Sequence, residues 1–335
     1  MAAGASERKL RRWQAEGLLP PPRLFWVAKR RVALYAPRDV ERVRAVAELM
    51  ARYRSVDLVG LSLLGLGYAL SEDRLRGAYD RLLARQQEWF APLDAIFNAM
   101  REARPGDPRT PALDRAFAWV EGAIGNPQLE WARRAASIHE SDDVPLPDAT
   151  WKYLENISRM FVRGSLGSDE AVEHLLAALA ARVPGSQALL NAEPFAEQVG
   201  MVKALPRATK LSTLRRIAAE APLDELVCAC DEVVGVVVGY LVMIDAAPYI
   251  GDCEPEREPP VLCELLNIDP SLLGYLGLLV ASFKRDPEVG DEFAAWLASW
   301  RALTGYFVGF VLAKLNGRVP ALHATARRYL YNRVP

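Results

Sequence analysis

The sequence predicts a mainly α-helical protein, with a small mixed head at the N-terminus followed by a larger all-α domain. Apolar residues recur at spacings of three and four through most of the 335 residues, which is the periodicity of helices that bury one face. Strand-like enrichment in aromatic and β-branched residues is confined to one short stretch near the start. The composition is 51% hydrophobic and 25% charged, which excludes a disordered or collagen-like chain.

Charge is distributed unevenly along the chain. The net charge is −1, but the first 54 residues carry 13 Lys and Arg against five Asp and Glu, a net of +8. The remaining residues carry 28 basic against 37 acidic residues, a net of −9. A basic head on an acidic body indicates that the head contacts a polyanion and that the body does not.

The elements of the head follow from local signals. Ser6 predicts a helix N-cap, and Gly17 is the residue type that ends helices in the left-handed conformation, so a basic helix should span residues 6–16. Three prolines at 20–22 then force an extended exit. Residues 24–35 are rich in Phe, Trp, Val and Tyr around Lys29-Arg30-Arg31, which predicts a hairpin with a basic tip. Pro37 and Asp39 begin the next helix, whose expected apolar face is Val40, Val43, Val46, Ala47 and Met50.

Two further helices follow the one that begins at Pro37. Residues 57–70 form an apolar helix whose glycines permit close packing, and Ser71 caps the next helix. That helix carries a heptad-like seam with one polar member, Gln86, and Pro92 predicts a kink or break near Phe90. The seam consists of Leu75, Tyr79, Leu82, Gln86, Trp89, Leu93, Ile96 and Met100. It fits a dimerisation helix and fits equally well a helix docked into the core of its own chain.

The remainder of the chain is predicted to be helical. Residues 104–111 have the sequence RPGDPRTP, which is typical of a linker. Helices are expected at 112–123, 127–139, 148–164, 168–183, 194–204, 209–220, 223–246, 269–284, 288–315 and 320–331. The predicted organisation is therefore a head over residues 1–70, connecting or dimerisation helices over 71–104, and an all-α effector or interaction domain over 112–335.

The head resembles the MerR family of bacterial transcription regulators. The run ERKLRRWQAEGLLPPPR, the short aromatic stretch after it and the run LYAPRDVERVRAV are similar to that family's recognition helix, wing and wing-to-helix junction. The resemblance implies a winged helix-turn-helix fold. In the family a further helix precedes the recognition helix, whereas only five residues precede Ser6, so we expect that first helix to be absent or reduced to a stub.

The resemblance also implies roles for individual residues. The helix from Ser6 would be the recognition helix in the major groove of double-stranded DNA, the basic tip would be the wing, and the regulator would act as a homodimer. Trp13 is expected to anchor the helix in the core. The DNA-binding residues implied are Arg8, Lys9, Arg11, Arg12, Arg23, Lys29, Arg30, Arg31, Tyr35 and Arg38.

The large domain offers weaker signals. Cys228 and Cys230 are two positions apart, so on a helix their side chains point to opposite sides and cannot share one metal ion. Buried structural cysteines are therefore favoured. The acidic cluster at 139–143 is expected to be a solvated loop, and His174 and His323 stand alone. Glycines and aromatics at 274–277 and 296–310 allow a cavity for a small apolar ligand, although ordinary core packing explains them better.

These observations lead to one main function and two alternatives. We expect a cytoplasmic transcription regulator that is not an enzyme, uses no cofactor or metal, does not enter the membrane and senses an unknown ligand or partner through its helical domain. The first alternative is a helical enzyme that carries a vestigial DNA-binding head. The second is a protein-interaction module that no longer reads DNA.

Overall fold

The structure, a computed structural model, describes residues 5–27, 30–34, 36–102, 155–156, 158–165, 199–250 and 270–315. The fold is mainly α-helical, as the sequence predicts. In chain order the elements are α1 Glu7–Ala15, β1 Arg23–Val27, β2 Arg30–Leu34, α2 Pro37–Arg52, α3 Val56–Gly65, α4 Glu72–Glu102, α5 Val199–Thr209, α6 Leu211–Glu220, α7 Leu223–Ile250, α8 Pro270–Lys284 and α9 Gly290–Leu315. The predicted linker at 104–111 and the predicted helices at 112–123, 127–139, 168–183 and 320–331 lie outside these residues.

Short-range signals set the ends of α1 where the sequence predicts them. The Ser6 hydroxyl accepts a hydrogen bond from the Lys9 backbone N–H at 3.4 Å. At the other end, Gly17 adopts φ of 71°, and its N–H donates to the Gln14 carbonyl at 2.9 Å. Glycine reaches this left-handed conformation without steric cost, so the chain can turn sharply after one short helix.

The hairpin and α2 also begin as predicted. Strands β1 and β2 pair antiparallel, with Arg23 opposite Leu34 and Val27 opposite Arg30. In α2, Pro37 occupies the first turn, and the Asp39 carboxylate accepts from the Ala36 N–H at 3.0 Å. The buried face of α2 differs from the expected one by a small rotation, since it comprises Arg42, Val43, Val46 and Leu49, whereas Val40, Ala47 and Met50 are only half-buried.

Glycines let α3 approach the C-terminal helices closely. A Cβ atom on Gly274 of α8 would collide with the Leu61 carbonyl oxygen of α3, and one on Gly65 would collide with the Pro270 carbonyl oxygen. About one turn further along α8, a Cβ atom on Gly277 would lie 2.7 Å from Cys230 Cβ in α7. Backbone-to-backbone packing of this kind is available only to glycine. Helix α3, the last helix of the predicted head, is therefore built into the core formed by α7, α8 and α9.

The first turns of α4 belong to the same core. Leu75 and Tyr79 are fully buried, and the Tyr79 hydroxyl donates to the Gly274 carbonyl at 2.9 Å. The start of the heptad-like seam is thus docked into its own chain, one of the two arrangements that the sequence allows. Helix α4 runs continuously from Glu72 to Glu102, so of the kink or break that the sequence predicts near Phe90, the break does not occur. A proline inside a helix removes one hydrogen bond of the ladder and can bend the helix without ending it.

The chain divides into two compact units. One comprises Met1–Leu82, Arg215–Arg285 and Gly290–Pro335, and it holds the head together with α7, α8 and α9. The other comprises Leu83–Leu214 and Asp286–Val289. In the second unit Phe90 stacks on Phe161 with ring centroids 4.8 Å apart, and the buried Asp94 carboxylate accepts from Arg163 Nε at 2.8 Å. Among the residues that the structure describes, no helix is both long and apolar enough to cross a membrane.

Candidate nucleic-acid interface

Helix α1 presents a basic surface to solvent while its apolar anchor is buried. The exposed residues include Arg8, Lys9, Arg11 and Arg12, all of which the sequence predicts to contact DNA. Trp13 is only 5% exposed, as expected for a residue that fixes the helix to the core. Because charged and apolar side chains are segregated in this way, the cationic groups of α1 remain accessible to a polyanion.

Two of the four cations in α1 are engaged in surface ion pairs. Arg11 Nη2 lies 2.6 Å from Glu7 Oε1, with both side chains about three quarters exposed. Arg12 Nε lies 2.8 Å from Glu16 Oε1. Exposed pairs one helical turn apart contribute only about 0.3–0.5 kcal/mol, so a phosphate can displace the carboxylate. In the described part of the chain, Arg8 and Lys9 make no ion pair.

A buried arginine that sequence reasoning missed supports the end of α1. Arg42 of α2 is 8% exposed, and its Nε donates to the Leu18 carbonyl at 2.7 Å, in the turn that follows α1. Its guanidinium carbon also lies 5.8 Å from the centre of the Tyr68 ring. Burial lowers the pKa of Arg42, and the nearby Asp39 opposes that effect. The available signal was its position four residues before Val46, on the apolar face of α2.

The hairpin places a cation and several apolar side chains in solvent. Arg23 is exposed at the start of β1, and the next three residues are exposed as well: Leu24 by 48%, Phe25 by 46% and Trp26 by 74%. The basic tip is described only in part. The backbones of Arg30 and Arg31 form the start of β2, while Lys29 and Tyr35 lie outside the described residues.

Arg38 stands at the N-terminus of α2, as predicted. It is exposed, and its Nη2 donates to the Gly67 carbonyl at 3.3 Å, a contact at the long end of the hydrogen-bond range. The first turn of a helix carries a partial positive charge. Arg38 therefore adds a full charge at a position that already favours anions.

The comparison with known families identifies the N-terminal part of the chain. Residues 2–59 match the family described as MerR HTH family regulatory protein. The head is a MerR-family DNA-binding module. This confirms the resemblance drawn from the sequence and supports a DNA-binding regulatory role for the chain. No curated protein matches the chain, and no solved structure matches it.

An acidic residue at the end of the MerR module ties α3 to α4. The Asp57 carboxylate lies 2.5 Å from Arg74 Nη2, and its two oxygens accept from Arg81 Nη2 at 2.7 Å and Nε at 2.8 Å. Burial alone would raise the pKa of Asp57, but the hydrogen bonds from Arg81 and Arg74 outweigh burial and hold it below its ordinary value. The ionised carboxylate thus links the MerR module to the helix that leaves it.

A third arginine of α4, Arg76, donates hydrogen bonds to carbonyls at the C-terminal end of α6. Arg76 Nη1 donates to the carbonyls of Ala218 at 2.6 Å and Ala219 at 2.8 Å, and its Nη2 donates to the Ala221 carbonyl at 2.8 Å. The last carbonyls of a helix have no partners inside the helix. A guanidinium supplies several donors in one plane and suits the negative end of the helix dipole.

The candidate metal and ligand residues of the helical region do not converge. Cys230 is buried and Cys228 is exposed, so the two point apart as predicted, although the expectation that both are buried is wrong for Cys228. The described residues contain no group of three or more His, Cys, Asp or Glu that could hold a metal. Gly274 and Gly277 pack against neighbouring helices, which is the core packing that the sequence favours over a cavity at these positions. Cys253, Cys263, the 139–143 cluster, His174 and His323 lie outside the described residues.

Proposed function

We propose that this chain is a transcription regulator that reads promoter DNA through its MerR module and responds to a ligand or partner through its helical region. The observation that supports this proposal most directly is the exposed cationic surface of α1, with Trp13 buried behind it. Side chains of this kind reach base edges and phosphates when a recognition helix enters the major groove.

Within this proposal the basic residues have different tasks. Arg8 and Lys9, which begin α1 and make no ion pair in the described structure, are the first candidates for base-edge contacts. Arg11 and Arg12 exchange their glutamate partners for phosphates when DNA binds. The other predicted DNA-binding residues are assigned to the phosphate backbone of the DNA: Arg23, Lys29, Arg30, Arg31, Tyr35 and Arg38.

We also propose that the regulator is a homodimer and acts in the cytoplasm, where the promoter is. A two-fold dimer places two recognition helices about one turn of DNA apart, so the operator repeats with the same symmetry. Since Leu75 and Tyr79 are buried in their own chain, the part of the α4 seam left for a partner begins at Leu82. The molar mass from light scattering at several concentrations tests the dimer. A mass of one chain at micromolar concentration contradicts it.

The route from the helical region to DNA passes through α3 in this proposal. Backbone contacts at Gly65 and Gly274 fix α3 to α8, and Asp57 fixes α3 to α4. Close-packed helices of this kind shift as rigid elements and do not deform gradually. A small apolar ligand or a partner protein that moves α8 therefore also moves α3, the helix at the end of the MerR module.

Selection of genomic DNA tests the promoter-binding proposal. The purified full chain is incubated with sheared genomic DNA from its own organism, and the retained fragments are sequenced. We expect one two-fold-related motif, enriched in the promoter of the protein's own gene. The matched control is the variant with both Arg8→Ala and Arg11→Ala, which keeps Trp13 and the fold and should lose the motif. Equal enrichment by the wild type and the control contradicts the proposal.

A further inference from the structure

The first strand of the wing exposes large apolar side chains on both of its faces. Trp26 is 74% exposed, and its neighbours Leu24 and Phe25 are 48% and 46% exposed. Isolated apolar residues on a surface require no explanation, whereas a contiguous group of large ones marks an interaction site. The group also lies within the MerR module.

The strand register determines which residues share the face of Trp26. Successive residues of a strand point to opposite faces, so Leu24 and Trp26 share one face and Phe25 belongs to the other. The pairing sets Arg31 directly opposite Trp26 and Ala33 opposite Leu24. Residues directly opposite each other in an antiparallel pair lie on the same face. We call Leu24, Trp26, Arg31 and Ala33 the Trp26 face.

The charge around this face selects the kind of partner. Arg23 precedes the apolar group, and Lys29, Arg30 and Arg31 follow it within the turn and the second strand. No acidic residue occurs between Gly17 and Arg38. An aromatic side chain in a segment of the sequence whose only charges are cationic complements a polyanion that also offers apolar surface, and a nucleic acid has both, in its phosphates and in its sugars and bases.

We propose that the Trp26 face is an apolar DNA contact, with the indole of Trp26 packed against sugar and base surface beside the groove that α1 occupies. This inference rests on the proposed function, because it concerns the same DNA. It adds a source of affinity that is not electrostatic and that the basic residues of the module do not supply. Trp26 positions the wing on the duplex, while the cations hold the phosphates.

The two kinds of contact respond differently to salt. Each phosphate neutralised by Lys or Arg contributes about −0.9 to the slope of log affinity against log salt. Packing of an indole releases no counterions, so its loss lowers affinity equally at all salt concentrations. Burial of a large apolar side chain is worth enough free energy that its truncation to alanine weakens binding by about tenfold or more.

The experiment is a fluorescence anisotropy titration of a labelled duplex from the protein's own promoter with the full chain, at four salt concentrations. The variants are Trp26→Ala, Trp26→Phe and Arg31→Ala. Leu272→Ala is the matched control, since Leu272 is a 42% exposed apolar residue of α8, outside the module. Thermal unfolding of every variant checks the fold, which should be unaffected because Trp26 is mostly in solvent.

We expect Trp26→Ala to bind about tenfold more weakly with an unchanged salt slope, Trp26→Phe to keep most of the affinity, and Leu272→Ala to match the wild type. Arg31→Ala should lower the magnitude of the slope by about 0.9. Wild-type affinity in Trp26→Ala, or a changed slope in that variant, overturns the inference while leaving the proposed function intact. Loss of self-association with unchanged DNA affinity reassigns the face to protein contact and also overturns it. A wild type that binds no duplex overturns both.

Discussion

Replacement of Gly274 by alanine should destabilise the chain even though alanine is the better helix former. In an unobstructed helix the exchange stabilises by about 1 kcal/mol. At position 274 the added Cβ atom meets the backbone of α3, at the Leu61 carbonyl, and backbone cannot step aside as a flexible side chain does. Overpacking of this kind costs about 1–3 kcal/mol. With the cost near its upper end, the net loss is about 2 kcal/mol, or a fall in Tm of about 4–8 °C.

The assay is thermal unfolding followed by helical circular dichroism, with Gly305→Ala as the matched control. Gly305 also lies inside a helix, α9, but nothing lies within 4 Å of a Cβ atom placed there. We therefore expect Gly305→Ala to raise Tm by a few degrees and Gly274→Ala to lower it. If Gly274→Ala melts at or above the wild type, the close packing of α3 on α8 is refuted.

Three further substitutions test the supports of the module. Arg42→Ala should lower the free energy of unfolding by about 1–3 kcal/mol in urea melts, because the Leu18 carbonyl loses its partner; an unchanged midpoint would show that this bond is dispensable. Arg76→Ala should lower the free energy of unfolding by about 1–3 kcal/mol, because the carbonyls at the end of α6 lose their donors, and Arg76→Lys should lose much of the same stability; a lysine variant as stable as the wild type would contradict the need for a guanidinium with several donors. The folded-state pKa of Asp57 is depressed, so its stabilisation is complete above the unfolded value near 4 and is lost as the pH falls through the folded value. The stability gap between the wild type and Asp57→Asn should be constant from pH 7 to about 5 and should shrink below about pH 4; a gap as large at pH 2 as at pH 7 contradicts this.

Local structure in the head could be predicted because its signals act over a few residues. The caps at Ser6 and Asp39 and the left-handed turn at Gly17 each depend on a side chain or a glycine within about four positions of the element it ends. Trp13 was predicted to be buried because a short helix covered with cations needs one large apolar anchor. These features are present in the structure as expected.

Packing between distant segments could not be predicted in the same way. Nothing near Gly274 in the chain shows that Leu61 lies against it, because glycine tolerates close approach from any direction. The heptad-like seam of α4 similarly left open whether its partner was another chain or its own core. The structure settles this for Leu75 and Tyr79 by burying them beside α8.

The residues of the candidate DNA-binding site were harder to select from the sequence than the ends of helices. Sequence reasoning selected mainly charged residues, so it found the exposed cations of α1 but assigned no role to Arg42 or Trp26. Arg42 carries charge yet is buried as a support, and its position on the apolar face of α2 was the only indication. Trp26 carries no charge, and strand alternation alone cannot say whether either face of a hairpin is covered.

The most direct test of the central claim is the salt dependence of DNA binding by the full chain. A labelled duplex from the protein's own promoter is titrated between about 50 and 200 mM salt. If the exposed cations of the MerR module bind DNA phosphates, the logarithm of the affinity falls linearly with the logarithm of the salt concentration, with a slope of several units in magnitude. A duplex of scrambled sequence should bind far more weakly than the promoter duplex. Affinity that does not change with salt, or that is equal for both duplexes, would contradict the claim that this chain reads DNA.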